Sequence, residues 1–244
     1  GVRLAQKAGR TPDDCTHGLT WLSYAYLQLE RFADSKRLVA ACLKEARERP
    51  RYRDDEDQFD IDAASLSSFY AMRLRYLLDA PADAEVASWR PDADGVPLAA
   101  FLRDYSDAIV ALRGTGHEGD GVARGAAVDF AAGAGAADEA VRRTHASADR
   151  LIAAMDRHVT STGAPLRRVV AIEVAQLDAL LDVRRGNRAA GLSKLAAVAV
   201  DEDSLPAAFG PPQVDQPTRE LLGRLLLDDG KPAEARREFE RALV

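Results

Sequence analysis

The chain has 244 residues with 33 basic and 39 acidic side chains, which gives a net charge of −6 at neutral pH. This acidic balance argues against a nucleic-acid partner, because polyanions are held by an excess of Lys and Arg. Apolar residues make up 47% of the chain but aromatic residues only 6%, and this alanine-rich, aromatic-poor composition favours closely packed helices over a β-sandwich. No apolar run approaches the roughly 20 residues of a membrane-spanning helix, so we expect a soluble all-α protein.

Apolar residues recur at helical spacing along the whole chain, and the alternation typical of strands is absent. The first two predicted helices cover residues 16–29 and 32–49, and the second ends before Pro50 because the residue preceding a proline is disfavoured in the α region. A charged link over residues 51–61 follows. The remaining predicted elements are helices at 62–79, 81–89, 97–113, 122–132, 138–160, 166–184, 188–200, 217–229 and 232–244, a flexible loop at 114–125 and a Pro-rich extended segment at 201–216.

The two cysteines, Cys15 and Cys42, are too few for a disulfide scaffold. If the first two helices pack antiparallel, Cys15 begins one helix and Cys42 lies near the end of the other, within about a turn or two of it. A disulfide between them is one alternative, provided that their Cα atoms come within about 7 Å. Two free thiols are the other, and the sequence leaves the compartment, cytoplasmic or exported, undecided.

The last predicted helix pair, residues 216–244, carries small and large residues at the spacing of a tetratricopeptide repeat (TPR). Small residues let the two helices cross closely, large residues fill the space beside them, and a glycine turns the chain. The positions that match are Leu222, Gly223, Leu226, Gly230, Ala235, Phe239 and Ala242. The same frame falls on residues 16–44, where Glu30 replaces the turn glycine, and a degenerate copy falls on residues 172–200.

The whole chain also resembles a group of bacterial TPR-containing proteins of unassigned function. The resemblance rests on His17–Gln28, a histidine followed by an aromatic-rich run, and on Pro206–Gly223, a Pro-rich stretch that leads into Glu-Leu-Leu-Gly. It implies an α-solenoid of antiparallel helical hairpins with degenerate middle repeats. We therefore expect a single TPR-like domain over residues 1–244 that forms part of a longer array.

In TPR hairpins the first helix of each pair lines a concave groove, and its polar positions contact ligands. In this chain those positions are His17, Thr20, Trp21, Tyr24 and Gln28 in the first repeat, Glu173 and Gln176 in the middle one, and Glu220 and Arg224 in the last. A polar groove with aromatic residues suits an extended peptide or a partner helix. The alternative is that these residues form ordinary solvated helix faces.

Other motifs match a functional site only in part. Residues 114–119 spell G-x-G-x-x-G, but a helix precedes them where a dinucleotide site requires a strand. His117 and Glu118 lack the second histidine of a zinc-binding H-E-x-x-H, and the acidic stretch 54–62 lacks the turn glycine and closing glutamate of a calcium loop. Because no nucleophile stands beside a base, we expect no catalytic residue, metal or cofactor.

We interpret the chain as a scaffold that binds a protein or peptide along its concave groove, without catalysis of its own. The alternative is an enzyme, or a small-ligand- or metal-binding protein, whose pocket is closed by the irregular middle region, residues 80–135. The chain ends on Ala242, Leu243 and Val244 without a helix stop signal. This makes the uncapped last repeat a candidate for self-association.

Overall fold

A computed structural model describes residues 15, 17–48, 64–113, 134–157, 163–207 and 210–243. Within these ranges the chain forms ten helices and no strand, which confirms the prediction of an all-α fold. None of the helices in the described part is both long enough and apolar enough to cross a membrane. The helices are α1 His17–Gln28, α2 Phe32–Glu48, α3 Ala64–Asp79, α4 Ala84–Ser88, α5 Pro97–Arg113, α6 Ala134–Arg157, α7 Gly163–Arg184, α8 Arg188–Asp203, α9 Thr218–Asp228 and α10 Pro232–Ala242.

Helices that follow one another in the sequence pack against each other, except that the short α4 lies against α3 and lets α3 contact α5 directly. In addition α1 contacts α3, and α5 contacts α7, so α1, α3, α5 and α7 form a continuous row that we call the inner row. The main core is built on this row around Phe69, Tyr70, Phe101 and Tyr105. A second, smaller core joins α7 and α8 to α9 and α10.

The connections α1–α2, α7–α8 and α9–α10 form the same three-residue turn. Its middle residue has a positive φ of 55° at Glu30, 85° at Gly186 and 67° at Gly230. In each turn this residue donates its N–H to the carbonyl three positions earlier, at 2.9–3.1 Å, and the next residue donates to the carbonyl five positions earlier, at 2.8–2.9 Å. A left-handed residue at this position satisfies the last carbonyls of a helix. Glu30 therefore adopts the conformation that glycine supplies in the other two turns.

Small residues lie where the two helices of each of these pairs cross. Ser23 of α1 and Ser35 of α2 share a buried hydroxyl hydrogen bond of 2.8 Å. A Cβ atom added to Gly191 of α8 would lie 2.6 Å from a backbone oxygen of α7, and one added to Gly223 of α9 would lie 2.6 Å from the ring of Phe239 on α10. The three helix pairs thus share one turn and one kind of close crossing.

Several helix boundaries differ from the prediction by three or four residues. Helix α4 begins at Ala84 instead of residue 81, and α6 begins at Ala134 instead of residue 138. Helix α7 begins at Gly163, with Pro165 in its first turn, where the missing proline N–H removes no helical hydrogen bond. Helix α8 continues to Asp203, so the extended segment begins later than residue 201. The predicted loop at 114–125, helix at 122–132 and charged link at 51–61 lie outside the described residues.

Candidate functional site

Residues of the first, third and ninth helices lie close enough to influence one another electrostatically. Burial raises the pKa of the Tyr24 phenol on α1, the carboxylates of Asp79 on α3 and Glu220 on α9 raise it further, and the nearby Arg75 guanidinium opposes them. Arg224 lies one helical turn from Glu220 and pairs with it at 3.4 Å. Tyr24 and Glu220, which are far apart in the sequence, therefore share one surface, which we call the inner surface.

The other groove residues predicted on α1 differ in their exposure. Gln28 is exposed, whereas Thr20 is only 8% exposed. Trp21 is half-buried, and its indole lies against Gly210, where an added Cβ would come within 2.7 Å of the ring. The side chain of His17 lies outside the described part of the structure.

A non-helical segment with several bends connects α8 to α9 and lies against the inner row of helices. We call residues 210–217 the inner segment. Its Gly210 contacts Trp21 on α1, Val214 is 1% exposed and packs on α7, and Asp215 forms an ion pair of 2.7 Å with Arg75 on α3. The chain thus places one of its own non-helical stretches against three inner-row helices.

Gln176 of α7 is fully buried and holds the end of the inner segment. Its side-chain Nε2 donates to the carbonyl of Gln216 at 2.8 Å and to the hydroxyl of Thr218 at 2.7 Å, and its Oε1 accepts from the Tyr105 hydroxyl at 3.0 Å. Glu173, about one turn earlier on α7, accepts a hydrogen bond from the backbone N–H of Asp215 in the same segment. The sequence analysis predicted that Glu173 and Gln176 contact a ligand in the groove. In the structure both side chains form hydrogen bonds with the inner segment of the same chain.

Three carboxyl groups lie in this region. Burial raises the pKa of Glu173 well above its usual value, and the nearby Asp215, whose backbone N–H lies 3.4 Å from Glu173 Oε1, contributes to the rise. Burial also raises the pKa of Asp215, while the Arg75 guanidinium opposes it. Burial raises the pKa of Glu202, which accepts a 2.8 Å hydrogen bond from the Thr218 backbone. Glu173 therefore favours its neutral, protonated form.

Cys15 and Cys42 are joined as a disulfide, with Cα atoms 5.0 Å apart. Both residues are buried. Glu45 reinforces the link, because its carboxylate accepts hydrogen bonds from the Cys15 backbone N–H at 2.5 Å and from the Ser65 hydroxyl at 2.8 Å. The chain before α1 is thereby tied to α2 and to the start of α3.

A cavity of about 260 Å³ lies on another part of the molecule, between α3, α5 and α6 beside the short α4. Its charged lining residues are Arg73, Arg90, Arg143, Asp107 and Glu139, and its remaining walls are alanine and valine side chains. Part of this lining comes from the irregular middle region, residues 80–135, that the alternative interpretation named.

No group of three His, Cys, Asp or Glu side chains could hold a metal ion within the parts of the chain that the structure describes. His145 and Asp178 form a 2.8 Å contact between α6 and α7. His117 lies outside the described residues.

Comparisons of the sequence with protein-family models, with curated proteins and with solved structures find no match. The resemblance to TPR proteins therefore stays a prediction.

Sequence reasoning missed Arg73, Arg75 and Asp215. The TPR frame does not extend to α3, and Asp215 lies in a segment predicted only as extended. The signal that could have found the two arginines is their position beside Leu74 in an otherwise apolar stretch, since a charge on a buried helix face needs a specific partner.

Proposed function

We propose that the protein is a non-catalytic helical-repeat scaffold of the TPR type, which binds an extended segment of a protein partner at its inner surface. The observation that carries this proposal is the inner segment. Gln176 hydrogen-bonds its main chain and Arg75 pairs with its carboxylate, which are the contacts that peptide-binding grooves make with extended ligands. The inner row of helices therefore has polar groups that can hold non-helical polypeptide.

The repeated hairpin supports the scaffold interpretation. Three helix pairs share one turn geometry and one close crossing, although the residue with positive φ is glutamate in one pair and glycine in the others. Repeats of a helical hairpin create extended binding surfaces that a single hairpin lacks.

The exposed continuation of the inner surface favours a basic partner. Asp79 and Glu220 lie near the phenol of Tyr24. Arg75 is paired with Asp215 and Arg224 with Glu220, so the carboxylates in this region outnumber the guanidinium groups by one. An aromatic ring flanked by carboxylates attracts Lys and Arg side chains through both its π face and the neighbouring charges. We therefore propose an extended peptide with basic residues as the ligand.

Selection of peptides from a displayed random library against the full chain tests this function. We expect enrichment of basic peptides, and at least a tenfold loss of affinity in Tyr24→Ala and Glu220→Lys, the size of effect typical of an interface hot spot. The matched control is Glu240→Lys, which makes the same charge change on the exposed face of α10. Failure to enrich any peptide, or equal losses in Glu220→Lys and Glu240→Lys, would contradict the proposal.

A further inference from the structure

The cavity between α3, α5 and α6 carries more positive than negative side chains. Asp107 is shared by two guanidinium groups, with Arg73 at 3.1 Å and Arg90 at 2.6 Å. Glu139 pairs with Arg142, which does not line the cavity. Arg143 is exposed and forms no ion pair with any residue in the described ranges. Three arginines and two acids thus line the cavity, a surplus of one positive charge.

Arg73 forms the fixed floor of the cavity. It is 1% exposed, and its guanidinium donates to the carbonyls of Val86 at 3.2 Å and Ala87 at 2.6 Å, to the Ser106 hydroxyl and to Asp107. These bonds tie the short α4 to α3 and α5. Because the donors of Arg73 are used inside the protein, an entering anion would meet the more exposed Arg90 and Arg143.

The remaining walls are small and apolar. Ala87, Val110, Ala111 and Ala140 line the cavity, and the exposed Ala136 stands at its mouth. The cavity volume of about 260 Å³ equals that of about nine liquid water molecules. This space fits a compact organic molecule. Binding of such a molecule would release water from the apolar walls, which favours binding.

We propose that this cavity binds a small organic monocarboxylate. Its carboxylate would pair with Arg143 and Arg90, and its apolar body would lie between the alanine side chains of α5 and α6. Arginine suits this role because its planar guanidinium matches the two oxygens of a carboxylate. A single negative charge matches the surplus of one positive charge, and the site is separate from the proposed peptide-binding surface.

Titration of the full chain with benzoate and hexanoate, followed by calorimetry and by NMR, tests the site. Benzamide, which has nearly the same shape as benzoate but no charge, is the ligand control. We expect dissociation constants on the order of 1 mM for the carboxylates, as is reasonable for ligands of this size. Benzamide should bind at least about tenfold more weakly, since it lacks the charge-assisted bonds.

Three variants decide where the probes bind. Arg143→Gln and Ala136→Leu should each weaken benzoate binding at least about fivefold, the first by removing the cation and the second by filling the mouth. Arg150→Gln is the matched control, because Arg150 is an exposed arginine farther along the same helix that does not line the cavity, and it should leave the affinity within about twofold of the original. Both test positions are exposed, so the fold should persist, and a thermal melt of each variant checks this.

Three results would overturn the proposal. The first is absence of saturable binding of either carboxylate at about 10 mM. The second is equal binding of benzamide and benzoate. The third is an affinity that Arg143→Gln leaves unchanged in a folded variant, because the carboxylate would then have no partner in this cavity.

Discussion

Glu173 is an acid that the folded chain removes almost completely from water, with 2% of its surface exposed. A buried carboxylate is stable only when paired or protonated. Its neighbour Asp215 already pairs with Arg75, so a second negative charge beside it is unfavourable. At the scale of single residues, this is the clearest point where the inner segment and the helices depend on a protonation state.

The pKa of Glu173 is raised in the folded state above its ordinary value of 4.5. Its contribution to stability is therefore fully present below that ordinary value and is lost as the pH rises through the folded pKa. Glu173→Gln keeps a neutral acceptor at this position, so we expect its stability to match that of the original protein near pH 4 and to exceed it by an amount that grows as the pH rises toward 8.

Urea unfolding at several pH values measures this difference. Glu234→Gln, an exposed position on α10, makes the same chemical change as a control. A difference between Glu173→Gln and the original protein that does not grow with pH would contradict the assignment of a protonated Glu173.

At the scale of elements, the turns and crossings of the three hairpins depend on few residues. The positive φ of Glu30, Gly186 and Gly230 closes each helix onto the next, and a non-glycine residue in this region is strained. The close crossings require Ser23 and Gly191, or residues as small, where the helices meet.

Glu30→Gly should stabilise the protein by about 0.5–1 kcal/mol, because relief of left-handed strain exceeds the added entropy of the unfolded chain. Gly230→Ala is the reverse change and should destabilise by about 1 kcal/mol. An added Cβ at Gly230 meets nothing within 4 Å, so this effect is purely conformational. Chemical denaturation of both variants measures the changes, and a destabilising Glu30→Gly would show that contacts of the glutamate side chain outweigh the strain.

Gly191→Ala should destabilise by about 1–3 kcal/mol, because the new methyl group would force α7 and α8 apart. The added Cβ would lie 2.6 Å from both the Ala179 oxygen and the Val183 side chain. Ser193→Ala, at an exposed position of the same helix, is the control and should have little effect. Thermal melts compare the two variants. Equal melting temperatures would contradict the expectation that the close crossing at Gly191 has no room for a methyl group.

At the scale of the whole molecule, the disulfide and the inner segment link parts of the chain that are distant in the sequence. The Cys15–Cys42 disulfide closes the start of the chain onto the second helix, with 27 residues of sequence separation. The inner segment connects α1, α3 and α7 before the chain enters the last hairpin. The disulfide reinforces the first hairpin, whereas the inner segment joins helices that belong to different hairpins.

Reduction of the disulfide should lower the free energy of unfolding by about 3–4 kcal/mol, because a loop of this length loses substantial entropy when closed in the unfolded chain. Urea unfolding with and without dithiothreitol measures the loss. The double variant Cys15→Ser with Cys42→Ser is the control and should not respond to the reductant. Alkylation of both cysteines in denatured, unreduced protein, detected as a mass increase, would contradict the link.

Much of the local architecture could be predicted from the sequence. Helix positions follow from apolar spacing, and the turn at Gly230 follows from a residue that adopts positive φ without strain. The turn at Glu30 was predicted from the repeat frame although the residue itself is atypical there. These helices and turns depend on residues that lie within a few positions of one another, so a short stretch of sequence is enough to predict each of them.

The candidate sites required the tertiary structure. Arg75 and Asp215, or Tyr24 and Glu220, are separated by most of the chain, and the sequence has no local signal that pairs them. The predicted groove residues Glu173 and Gln176 are buried because a non-helical segment from later in the chain covers them. The sequence by itself determined the helices, turns and small crossing residues through local periodicity. Only tertiary packing decided which charges are buried together, since burial depends on elements that arrive from elsewhere in the chain.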